Sequence, residues 1–257
     1  MAAAPHPAAT RRVTFVVPAY DEERRLGASL DRLIDFLARQ PYESELIVVD
    51  DGSRDGTAAI ARAAAERAVP RVTIRLLEHE RNRGKGAAVR TGVLAATGDD
   101  ILYLDADLAT PPEEVPKLLA ALDEGHDLAI GVRIQPGGYD MRESEPAYRR
   151  IGGKIFTAVR KRLLLSDVHD TQCGFKAFRK EAAQRLFPLQ RLDGWAFDAE
   201  LLFMAERLGL SIQQIPVEWR HVEGSRFQIT LRSALHELRD LLRIRWLHRG
   251  LRKIHAD

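Results

Sequence analysis

The chain has little cysteine and no long hydrophobic run. Cys173 is the one cysteine among 257 residues, which excludes an internal disulfide framework and is typical of a reducing compartment. No uninterrupted apolar stretch approaches the roughly 18–20 residues that a membrane span needs. A net charge of only +2 gives no argument for a nucleic-acid partner. With 45% hydrophobic residues, the chain has enough apolar surface for one large globular domain.

Several familiar sequence motifs are also missing. The chain has neither a complete Gly-x-Gly-x-x-Gly fingerprint nor a Gly-x-x-x-x-Gly-Lys-Ser/Thr loop, which argues against Rossmann dinucleotide binding and against a P-loop. Residues 1–10 are rich in alanine and proline and lack the apolar centre of a signal peptide, so we expect a disordered tail over residues 1–11. Cys173 has no His/Asn pairing that the sequence supports for a thiol nucleophile, and we interpret it as structural.

Short apolar runs alternate with segments of helical periodicity through the first half of the chain. The predicted strands cover residues 13–17, 46–49, 72–77, 101–104 and 127–132, and each is followed by a helical or loop segment. Strands that alternate with helices of about 10–18 residues favour a mostly parallel sheet with helices on both faces. The sequence therefore predicts an α/β fold.

The fourth predicted strand is followed by two carboxylates, Asp105 and Asp107. Strand side chains alternate between faces, so residues two apart are expected on the same side. Open α/β sheets bind ligands at the carboxyl ends of their strands, and paired carboxylates suit Mg²⁺ or Mn²⁺. The alternative is an ordinary solvated loop that happens to contain two Asp.

Other predicted strand ends carry polar groups to the same edge. Tyr20 to Glu22, Asp50 with Asp51, and Arg133 each follow a strand, and a basic glycine loop, Arg81–Gly86, follows another. Taken singly, each has an ordinary explanation as a turn, a helix-entry acid or a helix start. Together they predict a site for a nucleotide and a metal ion.

Three segments resemble the successive motifs of family 2 inverting glycosyltransferases, which have the GT-A fold. They are Val17–Glu23, Val48–Thr57 and Asp105–Asp107, within a resemblance that covers residues 13 to 245. The resemblance implies that Asp105 and Asp107 bind Mg²⁺ or Mn²⁺, which neutralises the diphosphate of a nucleotide-sugar donor. At the position of a third, Gln-type metal ligand in some relatives this chain has Ala109. The implied donor-binding residues are Pro18, Ala19, Tyr20, Glu22, Asp51, Ser53, Asn82, Gly84, Lys85, Asp105, Ala106 and Asp107, with Pro18, Tyr20, Glu22 and Asp51 around the base and ribose.

Two motifs in the second half carry a narrower resemblance. Asp170–Lys176 (Asp-Thr-Gln-Cys-Gly-Phe-Lys) and Trp195–Leu202 (Trp-Ala-Phe-Asp-Ala-Glu-Leu-Leu) look like those of dolichyl-phosphate β-glucosyltransferases. That group uses UDP-glucose as donor and a polyprenyl phosphate as acceptor. Breaking a sugar–diphosphate bond requires stabilisation of the departing nucleotide, which a divalent cation supplies.

The acceptor side includes a polar loop and two amphipathic helices. Residues 134–146 predict a mobile lid, with simple disorder as the alternative. Residues 147–165 predict a helix whose charges are all basic, which is typical of an anionic membrane interface, although its apolar face could also pack on the core. We assign residues 12–225 to the GT-A catalytic domain and residues 226–257 to a C-terminal basic amphipathic helical segment. With no membrane span, we expect a cytoplasmic protein attached peripherally to the inner face of the membrane.

The expected reaction is direct displacement of UDP by a phosphate oxygen of the acceptor. An anionic acceptor needs cations to position it, and the candidates are Arg133, Arg149, Lys154 and Lys176. The catalytic candidates are Asp198, Asp170 and Arg133, with Asp198 preferred over Asp170 as a base, if a base acts. The alternatives are a soluble family 2 enzyme with a hydroxyl acceptor, a GDP-mannose-dependent mannosyltransferase, a nucleotidyltransferase and a non-catalytic module.

Overall fold

The computed structural model describes residues 11–133, 168, 170–220 and 231–251, with residues 231–238 described through their backbone alone. The predicted lid over 134–146 and the predicted interface helix over 147–165 lie outside these residues. Arg149 and Lys154 therefore lie outside them too, and their roles stay predictions.

The described chain alternates strands and helices, as predicted. The strands are β1 (Arg12–Ala19), β2 (Glu43–Asp50), β3 (Val72–Glu78), β4 (Asp100–Leu104), β5 (Leu128–Val132), β6 (Phe175–Arg179) and β7 (Ile212–Pro216). The helices are α1 (Leu26–Leu37), α2 (Thr57–Ala65), α3 (Lys85–Leu94), α4 (Val115–Asp123), α5 (Lys180–Leu186), α6 (Phe197–Arg207) and α7 (Leu231–Leu247).

The strands form one sheet in the order β3-β2-β1-β4-β6-β5-β7. All neighbouring pairs are parallel except the two that involve β6, which runs antiparallel to both β4 and β5. Since β6 is antiparallel to both of its neighbours, β5 runs in the same direction as β4. The carboxyl ends of β1, β2, β4 and β5 therefore lie along one edge of the sheet, which confirms the mostly parallel sheet that the sequence predicts.

Helices cover both faces of this sheet, because its central strands are apolar on both sides. In β1, Phe15 packs into the core cluster shared with α1, α2 and α4, whereas Val16 packs into the cluster shared with α3, α5, α6 and α7. Leu241 and Ile244 of α7 are fully buried in the second cluster. Within the described ranges, no helix is long and apolar enough to cross a membrane.

The sequence analysis missed α5, which follows β6 directly. Its seven residues are too few for helical periodicity to be distinguished from a short strand. In the structure, its buried side chains are Ala182, Ala183 and Leu186, which have the three- and four-residue spacing of a helix face.

Candidate active site

Asp105 and Asp107 lie just beyond the end of β4. The strand ends at Leu104, and a turn follows in which the Leu108 N–H donates to the Asp105 carbonyl at 3.0 Å. The argument from strand alternation was therefore wrong, because neither acid is in a strand. The turn nevertheless brings them together: the pKa of Asp107 is raised by burial and by the neighbouring Asp105 carboxylate. The two carboxylates therefore lie within electrostatic range of each other.

Two cations face these two acids. The Lys85 Nζ lies 2.6 Å from an Asp105 oxygen and 5.0 Å from the centre of the Trp195 ring. The Arg25 Nη1 lies 3.7 Å from an Asp107 oxygen, while its other terminal nitrogen donates to Glu22 at 2.7 Å. The sequence analysis missed Arg25. Its position three residues after Glu22, at the entry to α1, was the available signal.

The residues present fit a hard divalent cation. Asp105 and Asp107 offer carboxylate oxygens, which suit Mg²⁺ or Mn²⁺, and Ala106 lies buried between them. Ala109 adds no side-chain ligand, and its N–H donates to Asp107 at 3.1 Å. No cluster of three or more His, Cys, Asp or Glu residues able to hold a metal occurs in the described part of the chain. A cation held here would thus take its remaining ligands from a diphosphate and from water.

Gly174 is a further site residue that the sequence analysis quoted only as part of a motif. It precedes β6, the antiparallel neighbour of β4, and lies against the Asp105 carboxylate. A Cβ at this position would come within 2.1 Å of an Asp105 oxygen, so a side chain cannot be accommodated unless the acid or the turn moves. Only glycine lets the two turns approach this closely.

Asp51 organises the basic glycine loop. Its buried carboxylate accepts hydrogen bonds from His79 Nδ1 at 2.7 Å, Asn82 Nδ2 at 2.9 Å and the Gly84 N–H at 2.7 Å. Gly84 has a positive φ of 108°, and a Cβ there would lie 2.4 Å from the Asp193 carbonyl oxygen. The loop therefore ends in one fixed conformation, which starts α3 with Lys85 facing Asp105. Contacts of Asp51, Asn82 and Gly84 with a donor stay predictions.

The ends of β1 and β2 form a wall beside the two acids. Pro18 and Ala19 are buried at the end of β1, and Tyr20 is half-buried directly after it. The Ser53 hydroxyl accepts a hydrogen bond from the Asp21 N–H at 2.9 Å, which ties the two strand ends together. The ends of β1 and β2 therefore lie together, and donor contacts of Pro18, Ala19, Tyr20 and Ser53 stay predictions.

Lys176 and Asp198 lie inside the protein, in contrast to their predicted roles. The Lys176 side chain is 0% exposed, and its Nζ lies 2.6 Å from Asp198. The Tyr103 hydroxyl donates to the same carboxylate, and the pKa of Tyr103 is well above its ordinary value because of burial and the Asp198 charge. An acceptor phosphate has no access to this ammonium, and a substrate proton has no access to this carboxylate. We therefore correct both assignments: these three residues are a buried, charge-paired cluster beneath the site.

Arg133 and Asp170 form a second ion pair, at the end of β5. Arg133 donates to Asp170 through Nε at 2.6 Å and Nη2 at 2.9 Å, and it lies 5.5 Å from the Trp219 ring centre. Asp170 is only 4% exposed, so it is placed to orient Arg133 rather than to take a proton from a substrate. Cys173 nearby is buried, and burial together with the Asp170 charge raises its pKa to about 11, which keeps the thiol protonated.

Comparison with known proteins identifies the family. Residues 14–187 match the family model described as Glycosyl transferase family 2. The chain belongs to glycosyltransferase family 2. The dolichyl-phosphate β-glucosyltransferase of Dictyostelium discoideum is 35% identical to it over 243 residues, which are 91% of this chain and 74% of the relative. The human protein of the same name is 35% identical over 246 residues, 92% of this chain and 75% of the relative.

Solved structures agree on the fold of this family 2 enzyme. Glucosyl-3-phosphoglycerate synthase from Mycobacterium tuberculosis superimposes with a TM-score of 0.66 at 26% identity, over 94% of this chain and 81% of that one. The same synthase in complex with Mn²⁺, UDP and glucosyl-3-phosphoglycerate gives a TM-score of 0.65 at 25% identity, over the same shares of the two chains. The predicted family and the predicted GT-A fold are both confirmed.

Proposed function

We propose that this family 2 enzyme transfers glucose from UDP-glucose to a polyprenyl phosphate of the dolichyl type, with inversion at the anomeric carbon. The observation that carries the proposal is the 35% identity, over 91% of the chain, to a protein named dolichyl-phosphate β-glucosyltransferase. The M. tuberculosis synthase, whose complex contains UDP and Mn²⁺, supports the choice of donor and of metal. The charged groups around Asp105 and Asp107 are the part of the structure that such a donor would meet.

At the donor end, Asp105 and Asp107 would hold Mg²⁺ or Mn²⁺. When bound, the metal would supply positive charge to the diphosphate as the sugar–phosphate bond breaks. Lys85 lies beside these acids and would orient the diphosphate, because its ammonium is fixed between Asp105 and the Trp195 ring. The wall formed by the ends of β1 and β2 would receive the base and ribose.

At the acceptor end, a phosphate oxygen would attack the anomeric carbon while the bond from that carbon to UDP breaks. The products are UDP and a β-linked glucosyl phosphate lipid. An acceptor that is already anionic needs positioning more than deprotonation, and neither base candidate is available, since Asp198 is paired with Lys176 and Asp170 with Arg133. Arg133 is our candidate for binding the acceptor phosphate, because Asp170 fixes its guanidinium at the sheet edge.

The C-terminal helix α7 offers a surface for an anionic membrane. Leu241 and Ile244 of this helix and His248 just after it are buried, whereas Leu242 and Trp246 are 53% and 63% exposed. At about 100° per residue, this spacing places Leu242 and Trp246 on the side opposite the core. The basic side chains on either side of them are Arg239, Arg243, Arg245 and Arg249. An exposed Trp and Leu between arginines suit the headgroup region, so we propose peripheral attachment to the inner, cytoplasmic face of the membrane.

A donor and acceptor panel tests the proposal. Radiolabelled UDP-glucose, other UDP-sugars and GDP-mannose are each incubated with a short polyprenyl phosphate and Mg²⁺ or Mn²⁺, and butanol-extractable label is counted. We expect label from UDP-glucose, and none when the metal is chelated. Label from GDP-mannose alone would replace the proposal with a mannosyltransferase, and label in the lipid without metal would remove the metal assignment.

A second candidate is transfer of glucose to a small phosphorylated acceptor. It is favoured by the similarity to a synthase whose name specifies glucosyl-3-phosphoglycerate as its product. An additional arm of the same assay with 3-phosphoglycerate separates the two, because the label then stays in the aqueous phase. Efficient transfer there, with none to the lipid phosphate, would favour this candidate.

A further inference from the structure

The acids assigned to the metal already face two of the protein's own cations. Asp105 is paired with Lys85 at 2.6 Å, and Asp107 lies 3.7 Å from Arg25. Two protein cations, Lys85 and Arg25, thus face the carboxylates of Asp105, Asp107 and Glu22 before any ligand binds.

A divalent cation alone would have to compete with these two protein cations. To reach Asp105 it would have to displace the Lys85 ammonium, and it would then lie beside two protein cations in a partly buried site. Repulsion between these charges is weakly screened there, because the groups are shielded from water and salt. A diphosphate alone would meet the opposite difficulty, since the two carboxylates lie next to the cations that would bind it.

Arg25 shows that the arrangement is poised for a further anion. Among the described residues, its Nη1 is buried and has no hydrogen-bond partner. The 3.7 Å separation from Asp107 is too long for a hydrogen bond, so this N–H group lacks the acceptor that a buried donor needs. A phosphate oxygen next to Asp107 would supply one, and guanidinium groups bind phosphate oxygens strongly.

We propose that Lys85 and Arg25 act as resident counter-ions of Asp105 and Asp107, so that a divalent cation binds well only together with a nucleoside diphosphate. When the two bind together, the added charges nearly cancel. The ammonium and the guanidinium then exchange carboxylate oxygens for phosphate oxygens. This inference rests on the metal assignment in the proposed function and adds to it a coupling between two ligands and the residues that set it.

The experiment measures Mn²⁺ binding directly rather than turnover. Free Mn²⁺ is titrated by EPR with and without saturating UDP, and UDP affinity is measured with and without Mn²⁺. For the native chain we expect UDP to tighten Mn²⁺ binding by about ten-fold or more, within the usual range of coupling between two sites. By thermodynamic reciprocity, Mn²⁺ should tighten UDP binding by the same factor.

Lys85→Gln removes one counter-ion and should shift the two affinities in opposite directions. Mn²⁺ alone should bind several-fold more tightly, UDP alone should bind more weakly, and the coupling should shrink. Lys85→Arg keeps the charge and should preserve the native coupling. Lys117→Gln is the matched control, since Lys117 of α4 is a half-exposed lysine whose ion-pair partner is Glu114, just before that helix.

Opposite shifts of the Mn²⁺ and UDP affinities distinguish a counter-ion from a residue that merely supports the fold. Local damage to the site would weaken the binding of both ligands. Weaker or unchanged Mn²⁺ binding in Lys85→Gln, with UDP-dependent binding intact in the native chain, would overturn the inference and leave the metal assignment standing. No Mn²⁺ binding by the native chain, even with UDP, would overturn both. Arg25→Gln tests the other acid by the same criterion and decides the question if Lys85→Gln does not fold.

Discussion

At the scale of single residues, the role of each aspartate depends on the groups that contact its carboxylate. Asp51 accepts hydrogen bonds from a loop that it holds in place, and Asp198 accepts from a buried lysine and a buried tyrosine. Asp105 and Asp107 instead face the cationic side chains of Lys85 and Arg25, which an ion can replace. Asp51 and Asp198 have no such freedom, since releasing either carboxylate would leave several unsatisfied donors inside the protein.

Asp105→Asn should abolish metal-dependent transfer. The amide keeps the shape of the side chain but removes the negative charge, and we expect a loss of about 100-fold or more in kcat/KM, as for other single electrostatic groups in active sites. The measurement is butanol-extractable glucose with Mn²⁺, with the thermal midpoint as a check on folding. Asp31→Asn, at an exposed pair with Arg67, is the matched control. Unimpaired transfer in Asp105→Asn would refute the metal assignment.

Gly174→Ala should impair the same site by a steric clash, with no change of charge. The added methyl would lie 2.1 Å from Asp105, so the acid must turn away or the turn before β6 must shift. We expect at least about ten-fold weaker binding of Mn²⁺ with UDP, and a stability loss of about 1–3 kcal/mol, typical of overpacking. Gly194→Ala is the control, since a Cβ there has nothing within 4 Å. Equal effects of the two variants would show that the close approach to Asp105 is not what matters.

At the scale of elements, one face of α7 packs against the core of the protein and the other face is exposed. Directly after the helix, the buried His248 lies with its Nε2 2.6 Å from Glu200 of α6. Glu200 also accepts the N–H groups of Arg191 and Leu192, at 2.9 Å each. The helix is therefore anchored against the same body as the site, which suits a surface that would hold the active site at a membrane.

Leu242→Gln with Trp246→Gln should weaken binding to anionic vesicles. Each side chain would contribute about 1.5–3 kcal/mol if buried in the interface, so we expect at least ten-fold weaker partition in a flotation assay. The thermal midpoint should stay unchanged, because both side chains are exposed in the free protein. Leu94→Gln, at an exposed leucine of α3, is the control. Vesicle binding that survives the double substitution would assign membrane contact to another surface or to none.

At the scale of the whole molecule, one buried acid ties three neighbouring strands together. Glu45 of β2 accepts hydrogen bonds from Thr14 of β1 at 2.7 Å, from Arg75 of β3 at 2.8 Å, and from the Thr97 N–H before β4 at 2.8 Å. Burial acts to raise the pKa of Glu45, but these hydrogen bonds lower it by more than burial raises it. The net shift of the pKa is downward. The ionised carboxylate is therefore more stable in the folded protein than in the unfolded chain.

This shift predicts how stability depends on pH. The contribution of Glu45 should be complete above the unfolded pKa of about 4.3 and should be lost as the pH falls through the lower, folded value. Glu45→Gln should reduce the free energy of unfolding by about 2 kcal/mol at pH 7 and should flatten the acid limb of the curve. Urea unfolding at pH 7 and in acid measures both effects, with Glu43→Gln, at an exposed position of the same strand, as control. An unchanged acid limb would exclude Glu45 as its source.

The sequence by itself determined the strands, most helices and the family, because these depend on local patterns. Short apolar runs that end in acids and glycines predicted β1 to β5 and placed Asp105, Asp51 and Arg133 at one edge of the sheet. Parallel strands bring their carboxyl ends together whatever their order, so this prediction did not require the topology.

Only the tertiary structure decided which of several equivalent charged residues face a ligand. The insertion of β6 between β4 and β5 places Gly174 against Asp105 and opposes Lys176 to Tyr103, which buries Lys176 and Asp198 together. Lys85 and Lys176, or Asp105 and Asp198, cannot be told apart by residue type and motif. Their difference is set by desolvation and by pairing with groups far along the chain, and such long-range contacts leave no local signal in the sequence.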